Sequence, residues 1–291
     1  MDVKVEPGTY VAAVSGGVDS MALLDLLAKK RGLKLVVAHF DHGIRTDSEK
    51  DRLFVESVAR KYGLPFVYAE GKLGAKASEA SARNARYEFL EKVRKASGAE
   101  AIITAHHQDD LLETAIINIL RGTGRLGLSS LKDRPGIRRP LLNVSKAELK
   151  KHAEKNKLKW REDKTNLDIK YLRNYIRHEI LPRFSQEQKK ELLGYIEKAQ
   201  FANLGIEKLL GDLLSSSAID RQWFIMLPHD VAAEVLADWL RGNKVRGFDK
   251  KLINKLVADA KTLKPGKQVD VDNRHFLRVE KDKLALSTRE R

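Results

Sequence analysis

The sequence predicts an α/β protein: a five-stranded, mostly parallel, doubly wound sheet followed by a helical linker and a small α+β module. Three observations lead there. Short, nearly continuous apolar runs recur at Tyr10–Val14, Leu33–Phe40, Pro65–Ala69 and Ala99–Ala105, each too short for a helix and apolar enough for a strand buried on both faces. Segments of helical period separate them. From Ser185 the pattern changes to helices and then short strands, so the boundary falls between residues 1–186 and 187–291.

The 291 residues are 42% hydrophobic and 33% charged, ordinary for a soluble chain with room for two domains. Met1–Glu6 has no apolar signal region and no stretch approaches the ~18 apolar residues of a membrane span, so the cytoplasm and no membrane partner are expected. The chain has no cysteine, which excludes disulfides, zinc–cysteine sites, iron–sulfur clusters and a cysteine nucleophile. The net charge of +15 is unevenly spread. Residues 1–120 carry seventeen basic and seventeen acidic groups, 121–183 eighteen against seven, and 184–291 twenty against sixteen. An excess of +11 in the middle segment fits a polyanionic partner.

The first strand runs into Ser15-Gly16-Gly17-Val18-Asp19-Ser20 and then into a helix with leucines at helical spacing. Paired glycines allow a tight turn and a close ligand, and the free amides of the first helical turn suit phosphate. The lysine and spacer of GxxxxGK[ST] are missing, which removes the kinase and GTPase reading; a purely structural turn stays open. Leu33–Phe40 ends in Asp41-His42-Gly43-Ile44-Arg45, where functional residues of open sheets gather, although Asp41 as a simple cap is the alternative. Asp47–Tyr62 reads as a surface helix.

In the helix Ser78–Ala96, Glu79, Arg83 and Arg86 share a face, a pattern that a solvated ion-pair ladder also produces. After the fourth strand, His106, Asp110 and Glu113 fall at i, i+4 and i+7 in a helix to about Leu120, with capping as the bland alternative. Arg121–Asn143 is a glycine-rich basic connection, a lid or a linker, holding a candidate fifth strand at Ile137–Leu142 that Pro140 assigns to an edge. Ser145-Lys146-Ala147-Glu148 is a capping box opening a basic helix to about Lys157. Trp160–Asp163, Thr165 and Asn166 precede a helix over Asp168–Leu181 that groups Arg173, Asn174 and Arg177. One or two connecting helices are expected at Glu187–Leu214, further helices at Arg221–Arg241 and Asp249–Lys261, and strands at Gln268–Val271, His275–Val279 and Leu284–Leu286.

The hexapeptide at 15–20 resembles the pyrophosphate loop of the N-type ATP pyrophosphatases, whose fold is that of the adenine nucleotide alpha-hydrolases. Together with DHGIR at 41–45, EASARNARY at 79–87, AHHQDDLLET at 105–114, RGTGRLGLSSL at 121–131, RPLL at 139–142 and RNYIR at 173–177, it resembles the tRNA(Ile)-lysidine synthetases within that group. The resemblance implies ligation of free L-lysine to C2 of the wobble cytidine of tRNA(Ile) with a CAU anticodon, through an adenylated tRNA, with release of AMP and pyrophosphate. It implies ATP with Mg²⁺ carried on its phosphates, protein metal ligands being unassigned. On this basis Ser15, Gly16, Gly17, Val18, Asp19 and Ser20 are the expected phosphate cradle. Asp41, Asp110 and Glu113, with His106 beside them, are expected to handle lysine, and Arg83 and Arg86 to meet developing phosphate charge. A tRNA-binding role is expected of the C-terminal module.

Three rivals stay open on sequence. A tRNA thiolase of the same fold needs cysteines, a synthetase for NAD or GMP leaves the +11 segment unexplained, and an RNA-binding module leaves the carboxylates of Asp109–Glu113 unexplained.

Overall fold

Strands β1 (Gly8–Ala13), β2 (Leu33–Asp41), β3 (Phe66–Glu70), β4 (Ala101–Ile103) and β5 (Ile137–Arg138) form one sheet in the order β3-β2-β1-β4-β5, every pair parallel. The computed structural model describes residues 1, 3–41, 43, 48–71, 79–123, 125–161, 168–213 and 218–289, with the backbone alone at 48, 79, 125, 212 and 213. His42, Ile44, Arg45, the side chain of Glu79, and Glu162, Asp163, Thr165 and Asn166, all singled out above, lie outside the described residues.

The apolar runs are unbroken because helices cover both faces of the sheet. The helices here are α1 (Val18–Ala28), α2 (Ser48–Lys61), α3 (Glu79–Ala96), α4 (Gln108–Leu120), the single turn α5 (Arg125–Leu128) and α6 (Lys146–Lys155). Tyr10, Ala101 and Ile103 pack with Leu23, Leu27 and Leu149 of α1 and α6. Val11 and Ile102, one residue out of phase, pack with Leu90 and Val93 of α3. A polar clasp sits among these helices: Asp25, 1% exposed, accepts from Tyr62 Oη at 2.6 Å and pairs with Lys29 Nζ and His152 Nε2 at 2.8 Å each. It ties α1 to the end of α2 and to α6.

The chain runs outward from β1 to β3 and then crosses to the other side of β1 for β4. The carboxyl ends of β1 and β4 therefore flank the point where strand order reverses, the usual crevice of an open α/β sheet. β5 keeps only two residues of the expected Ile137–Leu142 run, since Pro140 has no N–H to pair; it lies at the edge. The capping box at Ser145 and Glu148 forms, with the Ser145 amide donating to Glu148 at 2.9 Å.

The helix expected over Asp168–Leu181 is instead α7 (Leu172–Tyr175), a π turn (Ile176–Ile180) and a 3₁₀ turn (Leu181–Arg183) containing Pro182. Pro182 lacks an amide for helical bonding, and wide turns of this kind gather at functional sites. α8 (Gln186–Leu213) is a single helix.

The chain divides into two units, residues 1–200 and 201–291. In the second, β6 (Ala218–Asp220), β7 (Gln268–Asp270), β8 (His275–Val279) and β9 (Lys283–Thr288) make an antiparallel sheet in the order β6-β9-β8-β7. Sequence reading missed β6, three residues long. The helix expected over Arg221–Arg241 is broken by Pro228 into α9 (Arg221–Met226) and α10 (His229–Gly242). With α11 (Lys250–Thr262) they enclose a core centred on Phe224, Trp239, Leu256, Leu277 and Leu284. Among the described residues no helix is long and apolar enough to cross a membrane.

Candidate active site

The turn after β1 is held by its own serines. Ser20 Oγ donates to the Gly17 carbonyl at 2.9 Å and accepts from the Gly16 amide at 3.2 Å, while Ser15 Oγ lies 3.3 Å from Ser20 Oγ. Gly16 sits at φ +93°, a left-handed conformation that side chains rarely adopt. Gly17 is different: at φ −72° any residue is comfortable, and a Cβ there would meet only Ser15 Oγ at 3.6 Å. No side chain caps the helix that follows, so its N-terminal amides face the crevice.

Across the crevice, at the end of β4, His107 is the N-cap of α4 and is 1% exposed. Its Nε2 lies 3.5 Å from Asp19 Oδ2 and 3.4 Å from Asp110 Oδ2, and its backbone N–H donates to Asp110 at 3.1 Å. Lys146, the first residue of α6, brings Nζ to 3.6 Å from Asp19, and its amide donates to Asp109 at 3.1 Å. Burial opposes charge on these groups, but the cluster outweighs it. The pKa of His107 is raised by Asp19, Asp110 and Asp109, while Asp19 is lowered by His107 and Lys146. Asp110 is lowered by the His107 imidazole, by the His107 amide that donates to it and by Arg173. Asp19 Oδ1 is buried without a hydrogen-bond partner.

His106 takes the opposite state from its neighbour. Burial, with Arg139, Arg86 and Arg83 adding to it against Asp110, pushes its pKa down to about 3, and Nδ1 is engaged by Thr104 Oγ1 at 2.7 Å. It is a neutral imidazole at physiological pH. One turn further on, Glu113 has no exposed surface. Arg177 Nε donates to it at 2.6 Å and Arg173 Nε at 3.0 Å, while Arg177 Nη2 reaches Asp110 at 3.1 Å.

The structure thus brings together Asp19, His106, Asp110 and Glu113. Arg83 and Arg86 of α3 gather at the Tyr87 ring, their guanidinium carbons 4.9 and 5.4 Å from its centroid. Both exert their charge on His106. Asp41 ends the strand next to β1, and its carboxylate accepts from the Gly43 amide at 2.8 Å. Sequence reading passed over His107 and Lys146 and gave Arg173 and Arg177 no partner. The one available signal was the crowding of HHQDD, where either histidine reads equally well as the one on the helix face.

A β-strand, a serine- and glycine-rich turn and a helix whose free amides meet a charged cluster at the switch point form a phosphate-binding architecture. Comparison with known proteins agrees. The model of the PP-loop domain matches residues 3–184. The tRNA(Ile)-lysidine synthase of Thermotoga maritima is 39% identical over 227 residues, 74% of this chain and 54% of that protein. The enzyme of the same name from Geobacter sulfurreducens is 35% identical over 263 residues, 86% of this chain and 55% of that one. The chain therefore spans about half the length of these relatives. Among solved structures, the U34-tRNA thiolase NcsA of Methanococcus maripaludis superposes with a TM-score of 0.54 at 16% identity, covering 67% of this chain and 73% of that one, a likeness of fold. With the matched region taking in the whole parallel sheet and its phosphate turn, the chain belongs to the PP-loop domain family.

Proposed function

We propose that this chain is a tRNA(Ile)-lysidine synthetase that uses ATP to join free L-lysine to the wobble cytidine of tRNA(Ile) with a CAU anticodon, a reaction placed in the cytoplasm. The observation that carries the reading is the meeting of Asp19 of the phosphate loop with the head of α4 through His107. In the first step O2 of the cytidine bonds to the α-phosphorus of ATP and pyrophosphate leaves. In the second the lysine ε-amine attacks C2, the C2–O2 bond breaks, and AMP departs carrying that oxygen.

Residues 15–20 cradle the leaving pyrophosphate with backbone amides and serine hydroxyls. Asp19 Oδ1, buried and unpartnered, fits a magnesium ion carried on ATP phosphates, which would offset their charge. Arg83 and Arg86 meet charge developing on the transferred phosphate. An alkyl ammonium has a pKa of about 10.4, so the amine must lose a proton before it attacks. Asp110, and Asp41 from the next strand, seat the ammonium and receive that proton, while neutral His106 accepts a hydrogen bond and orients the amine. Glu113, enclosed by two guanidiniums, acts by holding Arg173 and Arg177 beside Asp110. The basic segment 121–183 and the second unit contact the tRNA.

The test is incorporation of labelled lysine into this tRNA, dependent on ATP. AMP release without lysine transfer would redirect the reading to another PP-loop synthetase, and tRNA binding without AMP release to an RNA-binding module.

A further inference from the structure

Gly16 and Gly17 share a peptide unit whose two polar groups face opposite ways. The Gly16 carbonyl accepts from the backbone N–H of Arg161 at 3.0 Å. The peptide is trans, so the Gly17 N–H points away from Arg161. It reaches Ser15 Oγ at 3.5 Å, a long contact on the exposed side of the turn, and stays able to donate to an incoming anion. The Gly16 N–H is already taken by Ser20 Oγ.

A peptide between two glycines turns over at little steric cost, because the flip changes ψ of Gly16 and φ of Gly17 and glycine accepts φ of either sign. Flipped, this unit would present a carbonyl oxygen where the amide now stands, and an oxygen repels phosphate. The bond from the Arg161 amide favours the unflipped form.

Arg161 sits in neither a helix nor a strand, so its amide is held in place through side chains. Its Nε donates to the carboxylate of Asp51 on α2, which is 7% exposed. Such charge-assisted bonds are stronger than neutral ones. Trp160, the preceding residue, packs against the cluster of Val14, Met21, Leu24 and Val55. The same helix α2 backs the turn directly: a Cβ on Gly16 would meet Val55 Cγ2 at 3.4 Å and Phe54 Cδ1 at 3.6 Å. One helix therefore supplies both the rear wall of the turn and the carboxylate that anchors the arginine.

We propose that Arg161 is a positioning residue of the turn: its pairing with Asp51 fixes the amide that keeps the Gly16–Gly17 peptide with its N–H outward. It touches no substrate. Its bearing on catalysis rests on the turn being the pyrophosphate cradle of the function proposed above.

The experiment follows the NMR signal of the Gly17 amide in the whole chain labelled on glycine nitrogen, identified by its loss in Gly17→Ala. Melting temperature and affinities for inorganic pyrophosphate and L-lysine are measured alongside. In Arg161→Met without ligand the Gly17 signal is expected to split or broaden. Pyrophosphate affinity falls about tenfold, the worth of one hydrogen bond to a charged acceptor, while lysine affinity stays within about twofold. Arg161→Lys, which keeps a charge for Asp51, restores most of both. An unmoved Gly17 signal overturns the proposal, and so does a loss shared equally by pyrophosphate and lysine, which marks a merely structural arginine. If Arg161→Met does not fold, Asp51→Asn weakens the same pair from the other side and is read in the same way. A wild-type chain that binds pyrophosphate beside an Arg161→Met that binds it equally sinks this inference alone. A wild-type chain that binds none sinks the proposed function, and the Gly17 signal still decides the role of Arg161.

Discussion

The imidazole of His107 approaches the carboxylate of Asp19 to 3.5 Å across the gap between the ends of β1 and β4. Its neighbour His106 is held neutral, so two adjacent histidines respond oppositely to pH. The pKa of His107 is raised in the folded chain, so its contribution is complete below about 6.5, the unfolded value, and is lost as pH rises through the folded one. His106 is depressed to about 3, so the unfolded chain takes up a proton there that the folded chain refuses, and stability is lost as pH falls from about 6.5. Melting curves from pH 5 to 8 are expected to show His106→Asn gaining relative stability toward acid and His107→Gln losing it. Parallel curves for the two variants would refute the assignment.

Gly16 and Gly17 are adjacent and are needed for different reasons. Gly16→Ala forces a side chain to φ +93° and is expected to cost about 1–3 kcal/mol in unfolding experiments. Gly17→Val meets no strained dihedral, so it is expected to melt like the wild type while losing AMP release from ATP. Normal turnover by Gly17→Val would mean that phosphate does not approach this backbone.

Replacing Glu113 by Gln leaves Arg173 and Arg177 facing an amide in place of a carboxylate. Breaking a buried pair from one side costs about 3–5 kcal/mol, and chemical denaturation measures it. With the arginines displaced from Asp110, lysine transfer is expected to fall further than formation of adenylated tRNA. Equal losses in single-turnover assays of the two steps would make Glu113 a nucleotide residue.

The basic excess of residues 121–183 is tested on residues the structure exposes. Lys150 and Lys151 of α6 and Arg138 of β5 are exposed, whereas Arg139 is buried. Pairwise change to Ala is expected to weaken tRNA binding and reduce the salt slope of log affinity by about one unit per lost contact. The apparent ATP constant should hold. Flat slopes would leave the second unit as the tRNA-binding surface.

Much of the sheet was legible because each strand has its own apolar run and turn, and the capping box of α6 has a local signature. The tight turn after β1 was legible because its glycines and serines are contiguous. What sequence hid depends on partners far along the chain. Glu113 reads as an available carboxylate until Arg173 and Arg177, sixty residues on, are seen closing over it. Lys146 reads as one cation of a basic helix until its amide is found tied to Asp109. The helix around Ile176 reads as regular because side-chain periodicity barely distinguishes a π turn from the α-helix leading into it.

The clasp at Asp25 leaves a mark in families rather than in one molecule. Three donors from α1, the end of α2 and α6 converge on one acid that has almost no water. Loss of the carboxylate strands a phenol and an imidazole, while the Lys29 ammonium, 55% exposed, keeps water and Asn156; loss of a donor leaves the acid under-solvated. Stepwise drift at these positions passes through a destabilised intermediate, so in a deep alignment positions 25, 29, 62 and 152 are expected to covary as a block. Chains with an apolar residue at 25 should carry apolar or small residues at 62 and 152, and those keeping the acid should keep the hydroxyl and the ring nitrogen.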